Sequence, residues 1–188
     1  MNNDLVSLTD VLKVSGQQLR NKWCIQLLCK LHIIHSGFQN IQCNICFDNL
    51  KVNKKNDLIL VNVAEKSSIE IEIQDDIKFK APELISKNIT SKAGDIWATG
   101  ICICFINNLC FPWKTAANND KKFNLWANEG IFPLNLNSPF SEIVKQMLCI
   151  EPKLRPSIKN VIKMTCDCKT DKNDLCKLLY FSNFYKMN

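Results

Sequence analysis

Glycine is nearly missing from this chain. Its 188 residues hold five, and no two of them are separated by a single residue. No Gly-x-Gly loop can therefore be written, which excludes a Rossmann dinucleotide fingerprint and every phosphate-covering loop of that type; a Walker-type phosphate loop is absent too. Long apolar runs are also lacking. The longest, Ile96 to Ile106, is too short to span a bilayer and ends at Asn107-Asn108. The N-terminus, Met1-Asn2-Asn3-Asp4, has neither the basic flank nor the apolar core of a signal peptide. No basic run with interleaved aromatics occurs, so the net charge of +6 reads as a solvated lysine surface and not as a nucleic-acid face. These absences predict a soluble cytoplasmic or nuclear protein, with no membrane and no nucleic acid among its partners.

What is present suits a globular domain. The hydrophobic fraction is 46% and the charged fraction 22%, ordinary values for a chain long enough to bury one core. Eleven cysteines need a reason. In a reducing compartment they stay thiols, and most fall in apolar periodic segments, where cysteine behaves as a small hydrophobe. Cys43-x-x-Cys46 has zinc-ligand spacing, and Cys166-x-Cys168 with Cys176 adds three thiols. One cysteine of the first pair would point inward from an expected strand, so packing is the favoured reading and no metal is expected. Cys102 and Cys104 lie in the most apolar helix and read as packing residues.

Periodicity outlines the elements. A leading segment and a short helix, Leu8 to Val14, come first. Leu19, Trp23, Leu27, Leu28 and Leu31 recur at helical spacing in a helix that runs to about Ile34 and stops at Ser36-Gly37. Ile45-Cys46-Phe47 and Leu58 to Val61 flank the turn-rich stretch Asn49 to Asp57, which predicts a hairpin. Ile69 to Ile73 alternates with period two and predicts a further strand. The helix from Asp95 to Ile106 is apolar nearly all round and should be buried. Phe140, Ile143, Val144, Met147 and Leu148 form an amphipathic stripe, and Ser157 can cap a helix carrying Ile158, Val161 and Ile162. The tail from Cys166 is polar, then Leu175, Leu178 and Leu179 predict one last amphipathic turn. The fold class expected is mainly α with a few short β-strands.

Three stretches carry a resemblance. Lys80-Ala81-Pro82-Glu83, Asp95-Ile96-Trp97-Ala98-Thr99-Gly100 and Glu151-Pro152-Lys153-Leu154-Arg155-Pro156-Ser157 follow one another in the order of the A-P-E, D-x-W-x-x-G and D-P-x-x-R-P-S landmarks of a Ser/Thr protein kinase's C-terminal lobe. The chain resembles that family from roughly Leu8 to Met164, which makes residues 1–164 a kinase-like domain and 165–188 a C-terminal tail. The resemblance implies a C-lobe fold without the small lobe. It also implies structural roles for five residues: Glu83 pairs with Arg155 beneath the activation segment, Asp95 opens the central helix and holds the catalytic loop, and Trp97 and Gly100 complete that helix's signature. Leu31-His32 can fill the Leu-His pair that ends the preceding helix in the family. Pro112-Trp113-Lys114-Thr115-Ala116, with Asp120 and Phe123, is similar to fungal nutrient-signalling kinases and, more loosely, to checkpoint kinases.

The same resemblance breaks at the chemistry. Kinases use an Asp to accept the substrate hydroxyl proton, an Asn and a second Asp to hold magnesium, and a Lys on the small lobe. Asn44, in Cys43-Asn44-Ile45-Cys46-Phe47, fits the metal-binding Asn. Gln39 then stands at the catalytic Asp, Ile41 at the following Lys, and Asn62 at the D-F-G Asp. Asp48 is the sole acidic residue between Gly37 and Lys55. An amide cannot act as a general base near neutral pH. The expectation is a truncated pseudokinase with no cofactor, which binds a protein partner, either a protein kinase or another copy of itself. Stripped of a small lobe, the hairpin and the Leu8 to Val14 region should present an apolar face to that partner. The alternative is a divergent Ser/Thr kinase fragment that uses ATP and Mg and whose ATP-binding lobe is supplied separately. Ser67, Ser68 and Thr90-Ser91 are candidate phosphorylation sites if the activation-segment role persists.

Overall fold

The computed structural model describes residues 5–37, 44–61, 77–136 and 138–167. Seven helices and one small sheet occupy them: β1 (Val6–Ser7), α1 (Leu8–Leu12), α2 (Gln17–Gly37), β2 (Leu50–Val52), β3 (Leu58–Leu60), α3 (Pro82–Lys87), α4 (Lys92–Asn108), α5 (Lys121–Glu129), α6 (Ser141–Met147) and α7 (Ile158–Asp167). The fold is mainly helical, as the periodicity implies. The strands form one antiparallel sheet in the order β1-β2-β3. Among the described residues there is no five-stranded lobe, and no helix is long and apolar enough to cross a membrane.

Helix α4 is the axis of the domain. Ser91 caps it, its hydroxyl accepting the Gly94 N–H at 3.1 Å, and Asp95 in the first turn complements the positive end of the helix. Residues 95–104 and Ile106 are buried, so the helix packs on nearly every side. Helix α2 lies against it, with Asn107 Nδ2 on α4 reaching the Cys24 thiol at 3.4 Å. Helix α6 also approaches α4 closely because position 100 is glycine. A Cβ there would stand 3.1 Å from both Met147 Cβ and Leu148 Cδ2. The stripe Phe140, Ile143, Val144, Met147 and Leu148 is wholly buried in this contact. Helix α7 is capped by Ser157, whose hydroxyl accepts the Asn160 N–H at 3.3 Å, and it packs Ile158, Val161 and Ile162 into the core.

Several boundaries differ from the sequence expectation. The hairpin exists, but its first strand is Leu50–Val52 and not Ile45 to Phe47. Phe47–Asn49 forms a 3₁₀ turn instead, because the Asn49 side chain donates back to the Asn44 carbonyl at 2.8 Å and closes the chain locally. Leu50 pairs with Leu60 and Val52 with Leu58 across a turn in which Asn56 takes φ 58°. Val6–Ser7, expected as a leading segment, adds an edge strand. Helix α1 ends at Leu12, α2 continues to Gly37, and α4 extends from Lys92 to Asn108. Helices α3 and α5 have no counterpart in the periodicity. The strand expected at Ile69 to Ile73 and the helical turn expected at Leu175 to Leu179 lie outside the described residues.

The hairpin is held from below by α2. Gln26 accepts the Leu58 N–H at 2.7 Å and donates to Asp57 at 2.9 Å, Lys22 pairs with Asp57 at 2.9 Å, and the Trp23 indole donates to the Asn56 carbonyl at 3.1 Å. Leu8, Leu12, Leu50, Val52 and Leu58 are consequently buried. Around them Val6 and Val14 are exposed, and Val11, Ile59, Leu60 and Val61 are half-buried. Strand alternation turns Leu50, Val52 and Leu58 inward, and Ser7, Lys51 and Ile59 share the opposite face at paired positions.

Candidate functional site

The best-built constellation joins α3, α4 and the segment before α7. Glu83 sits in the first turn of α3, where Pro82 supplies a helix-ready φ. Arg155 meets it with two parallel hydrogen bonds, Nη1 to Oε1 at 2.6 Å and Nη2 to Oε2 at 2.8 Å. Both side chains are buried. Arg155 also donates from Nε to the Cys149 carbonyl at 2.7 Å, from Nη1 to the Ala93 carbonyl at 3.0 Å and from Nη2 to the Ile150 carbonyl at 3.1 Å. All five guanidinium N–H groups therefore have an acceptor. The planar group lies over the Trp97 ring, 4.9 Å from its centroid. Trp97 in turn stacks on Trp113 and meets Phe123 edge-on.

A second polar contact joins the end of α2 to the start of α4. The His35 ring Nε2 lies 2.9 Å from Asp95 Oδ2, and the Lys92 ammonium donates to the His35 carbonyl at 2.8 Å. Both side chains are almost wholly buried. The histidine that meets α4 is thus His35; His32, one turn earlier, holds its Nδ1 3.4 Å from the Ser36 hydroxyl. The resemblance pointed to His32 at this end of α2 and did not mark His35.

Asn44 is exposed, with its carbonyl taken by Asn49. Asp48 is exposed on the 3₁₀ turn that follows. Gln39, Ile41 and Asn62 lie outside the described residues, as do Ser67 and Ser68. Thr90 is exposed, whereas the Ser91 hydroxyl is engaged as the cap of α4. Of the cysteines with zinc spacing, Cys46 is buried and accepts from Asn49 Nδ2 at 3.4 Å, while Cys43, Cys168 and Cys176 lie outside. Among the described residues no group of three or more His, Cys, Asp or Glu side chains is gathered to hold a metal ion.

Comparison with known proteins gives this arrangement a family. The sequence model of the protein kinase domain matches residues 3–165, most of the chain. The chain belongs to the protein kinase domain family. It is 23% identical over 172 residues, 87% of its length, to a calcium and calcium/calmodulin-dependent serine/threonine-protein kinase of Oryza sativa subsp. japonica. A protein of the same description from Lilium longiflorum is 23% identical over 91 residues, 46% of this chain. These matches cover 33% and 18% of those kinases, so the chain spans a third or less of the relatives it matches. Within the kinase fold, α3 carries the A-P-E segment, α4 the D-x-W-x-x-G segment, and the turn before α7 the R-P-S segment.

Proposed function

We propose that this kinase-like domain is a catalytically inactive interaction module that acts by binding another protein. What carries the reading is a contrast within a short distance. The buried Glu83–Arg155 pair has every guanidinium N–H satisfied, yet the segment leading from α2 to Asn44 is empty of acid–base chemistry. A catalytic loop of the form H-R-D-x-x-x-x-N ending at Asn44 would start at Gly37, which is still the last residue of α2. Residues 37–44 read Gly, Phe, Gln, Asn, Ile, Gln, Cys, Asn, with no carboxylate in any register. Asp48 follows Asn44 and does not substitute.

Gln39, Ile41 and Asn62 then stand at degenerate positions. Magnesium prefers carboxylate and phosphate oxygens, and an amide is no general base. This donor set does not fit a magnesium–ATP complex, and the reading needs no cofactor. The partner it calls for is a protein kinase or a second copy of the chain.

The relatives described as serine/threonine-protein kinases favour a second reading, a divergent kinase fragment whose ATP-binding lobe comes from elsewhere. One experiment separates the two. The purified chain is incubated with radiolabelled ATP, magnesium and generic Ser/Thr substrates, and its melting temperature is followed as ATP is added. Background incorporation and an unmoved melting temperature are expected, because a ligand stabilises only by mass action on the state it binds. Phosphate transfer, or a clear upward shift at millimolar ATP, would overturn the inactive reading.

A further inference from the structure

The C-terminal turn of α4 places two cysteines on either side of a chain reversal. Cys104 is buried near the end of the helix, and Asn108 Nδ2, one turn onward, donates to its carbonyl at 2.8 Å and lies 4.0 Å from its sulfur. Leu109 then adopts a left-handed conformation, φ 56°, and donates its N–H to the Phe105 carbonyl at 2.7 Å. A residue in that conformation turns the chain back on the last helical turn. The reversal is visible two residues on. The Phe111 ring packs on Phe105 with centroids 4.5 Å apart. Cys104 precedes one ring of this pair and Cys110 the other, and Cys110 is exposed. Burial pushes the Cys104 thiol up to about 12, and the next contribution is the charge of Cys110 nearby.

We propose that Cys104 and Cys110 are a redox pair, closed to a disulfide by a peroxide. The exposed Cys110 meets the oxidant first. Its thiolate attacks one peroxide oxygen, breaking the O–O bond and forming a sulfenic acid, and the hydroxide released leaves as water with the thiol's proton. The Cys104 sulfur then forms the S–S bond and displaces the hydroxyl group, which leaves as a second water with the Cys104 proton. The two thiols lose two electrons and the peroxide gains them. Because the Cys104 thiol resists ionisation, the second step should be slow at neutral pH and quicken as pH rises. The bond would fasten Phe111-Pro112-Trp113 to the end of α4.

The test uses the whole folded chain. It is treated with hydrogen peroxide, remaining thiols are alkylated, and the protein is cut with trypsin and then chymotrypsin, which cleaves after Phe105. The tryptic peptide between Lys92 and Lys114 holds Cys102, Cys104 and Cys110. The expected result is a peptide lighter by two hydrogens whose halves stay joined after the second cut until dithiothreitol is added. Cys110→Ser should abolish the link and Cys102→Ser should preserve it. The mapping is made on the parent chain, so a Cys104→Ser variant that misfolds does not affect it. Recovery of Cys110 alkylated, or as a sulfonic acid with the halves separate, overturns the proposal; so does a link lost in Cys102→Ser.

Discussion

Arg155 and Glu83 face each other through two parallel hydrogen bonds of 2.6 and 2.8 Å, in a site that leaves no guanidinium N–H without an acceptor. The pair ties α3 to the turn before α7 across 72 residues of sequence. Removing one partner strands the other. A buried, uncompensated charge costs about 3–5 kcal/mol, out of the roughly 5–15 kcal/mol that holds a domain folded. Glu83→Ala should therefore unfold much of the chain or make it insoluble, as read by circular dichroism and soluble yield. Arg155→Lys should fail nearly as badly, since an ammonium cannot make the planar fork. A Glu83→Ala protein that melts with the parent would show that the pair contributes nothing.

The contact between His35 and Asp95 predicts a smaller effect. Asp95→Ala takes away the acceptor 2.9 Å from a buried ring nitrogen. Loss of a partner from a buried polar group costs about 1–3 kcal/mol. His32→Ala, on the half-buried preceding turn, should change stability by less than that. Equilibrium urea denaturation of the two variants gives the comparison. Equal losses would mean that the His35 contact has no special weight.

Gly100 makes a packing prediction. Alanine is the better helix former by about 0.5–1 kcal/mol. Its methyl group would press on three atoms of Met147 and Leu148 at 3.1 to 3.3 Å. One of these, Met147 Cβ, is anchored to its own backbone and cannot swing aside. Overpacking a tight core costs about 1–3 kcal/mol. Gly100→Ala should then destabilise the protein despite the propensity gain. A variant with an unchanged or raised denaturation midpoint would show that α6 yields.

The long elements were legible because their apolar positions repeat often enough to define a face. Helix α2 and the buried α4 need nothing else, and the ordered motifs marked Glu83, Asp95 and Arg155 before any geometry was known. Helix α3 escaped because six residues are too few to show a period. Helix α5 escaped because its signal lies in its ends, in the Asp120 cap and the left-handed Gly130, while only Phe123 is fully buried between them. The first hairpin strand was misplaced because Ile45-Cys46-Phe47 is apolar for core packing, and the reach of Asn49 back to Asn44 is invisible to a two-residue period. The contact of His35 with Asp95 joins positions 60 residues apart, and nothing local in either segment announces it.

Asp120 carries the last prediction. Its Oδ1 accepts the Lys122 and Phe123 N–H groups at 2.9 and 3.1 Å and caps α5; its Oδ2 accepts those of Lys114 and Thr115 at 2.8 and 3.3 Å and pins the preceding turn. Partial burial alone would raise its pKa, but the four backbone donors outweigh that and hold the carboxyl below its usual range. The sign follows from the direction. A carboxyl with a folded pKa below its unfolded value of about 3.9 adds stability above that pH, and the gain is lost as pH falls through the folded value. Asp120→Asn keeps one acceptor oxygen for the cap and puts an NH₂ where the other oxygen stood. Although Asn is itself a good cap, the variant should be less stable than the parent at neutral pH, within the roughly 0.5–2 kcal/mol range of cap losses. The difference should shrink as the solution is acidified below about pH 4, because the parent loses its carboxylate there while the amide does not titrate. Melting temperatures of both proteins from pH 7 down to about pH 2.5 provide the measurement, the window being set by the ordinary carboxyl range. A gap that stays constant or widens in acid would show that the carboxylate charge has no part in holding this turn.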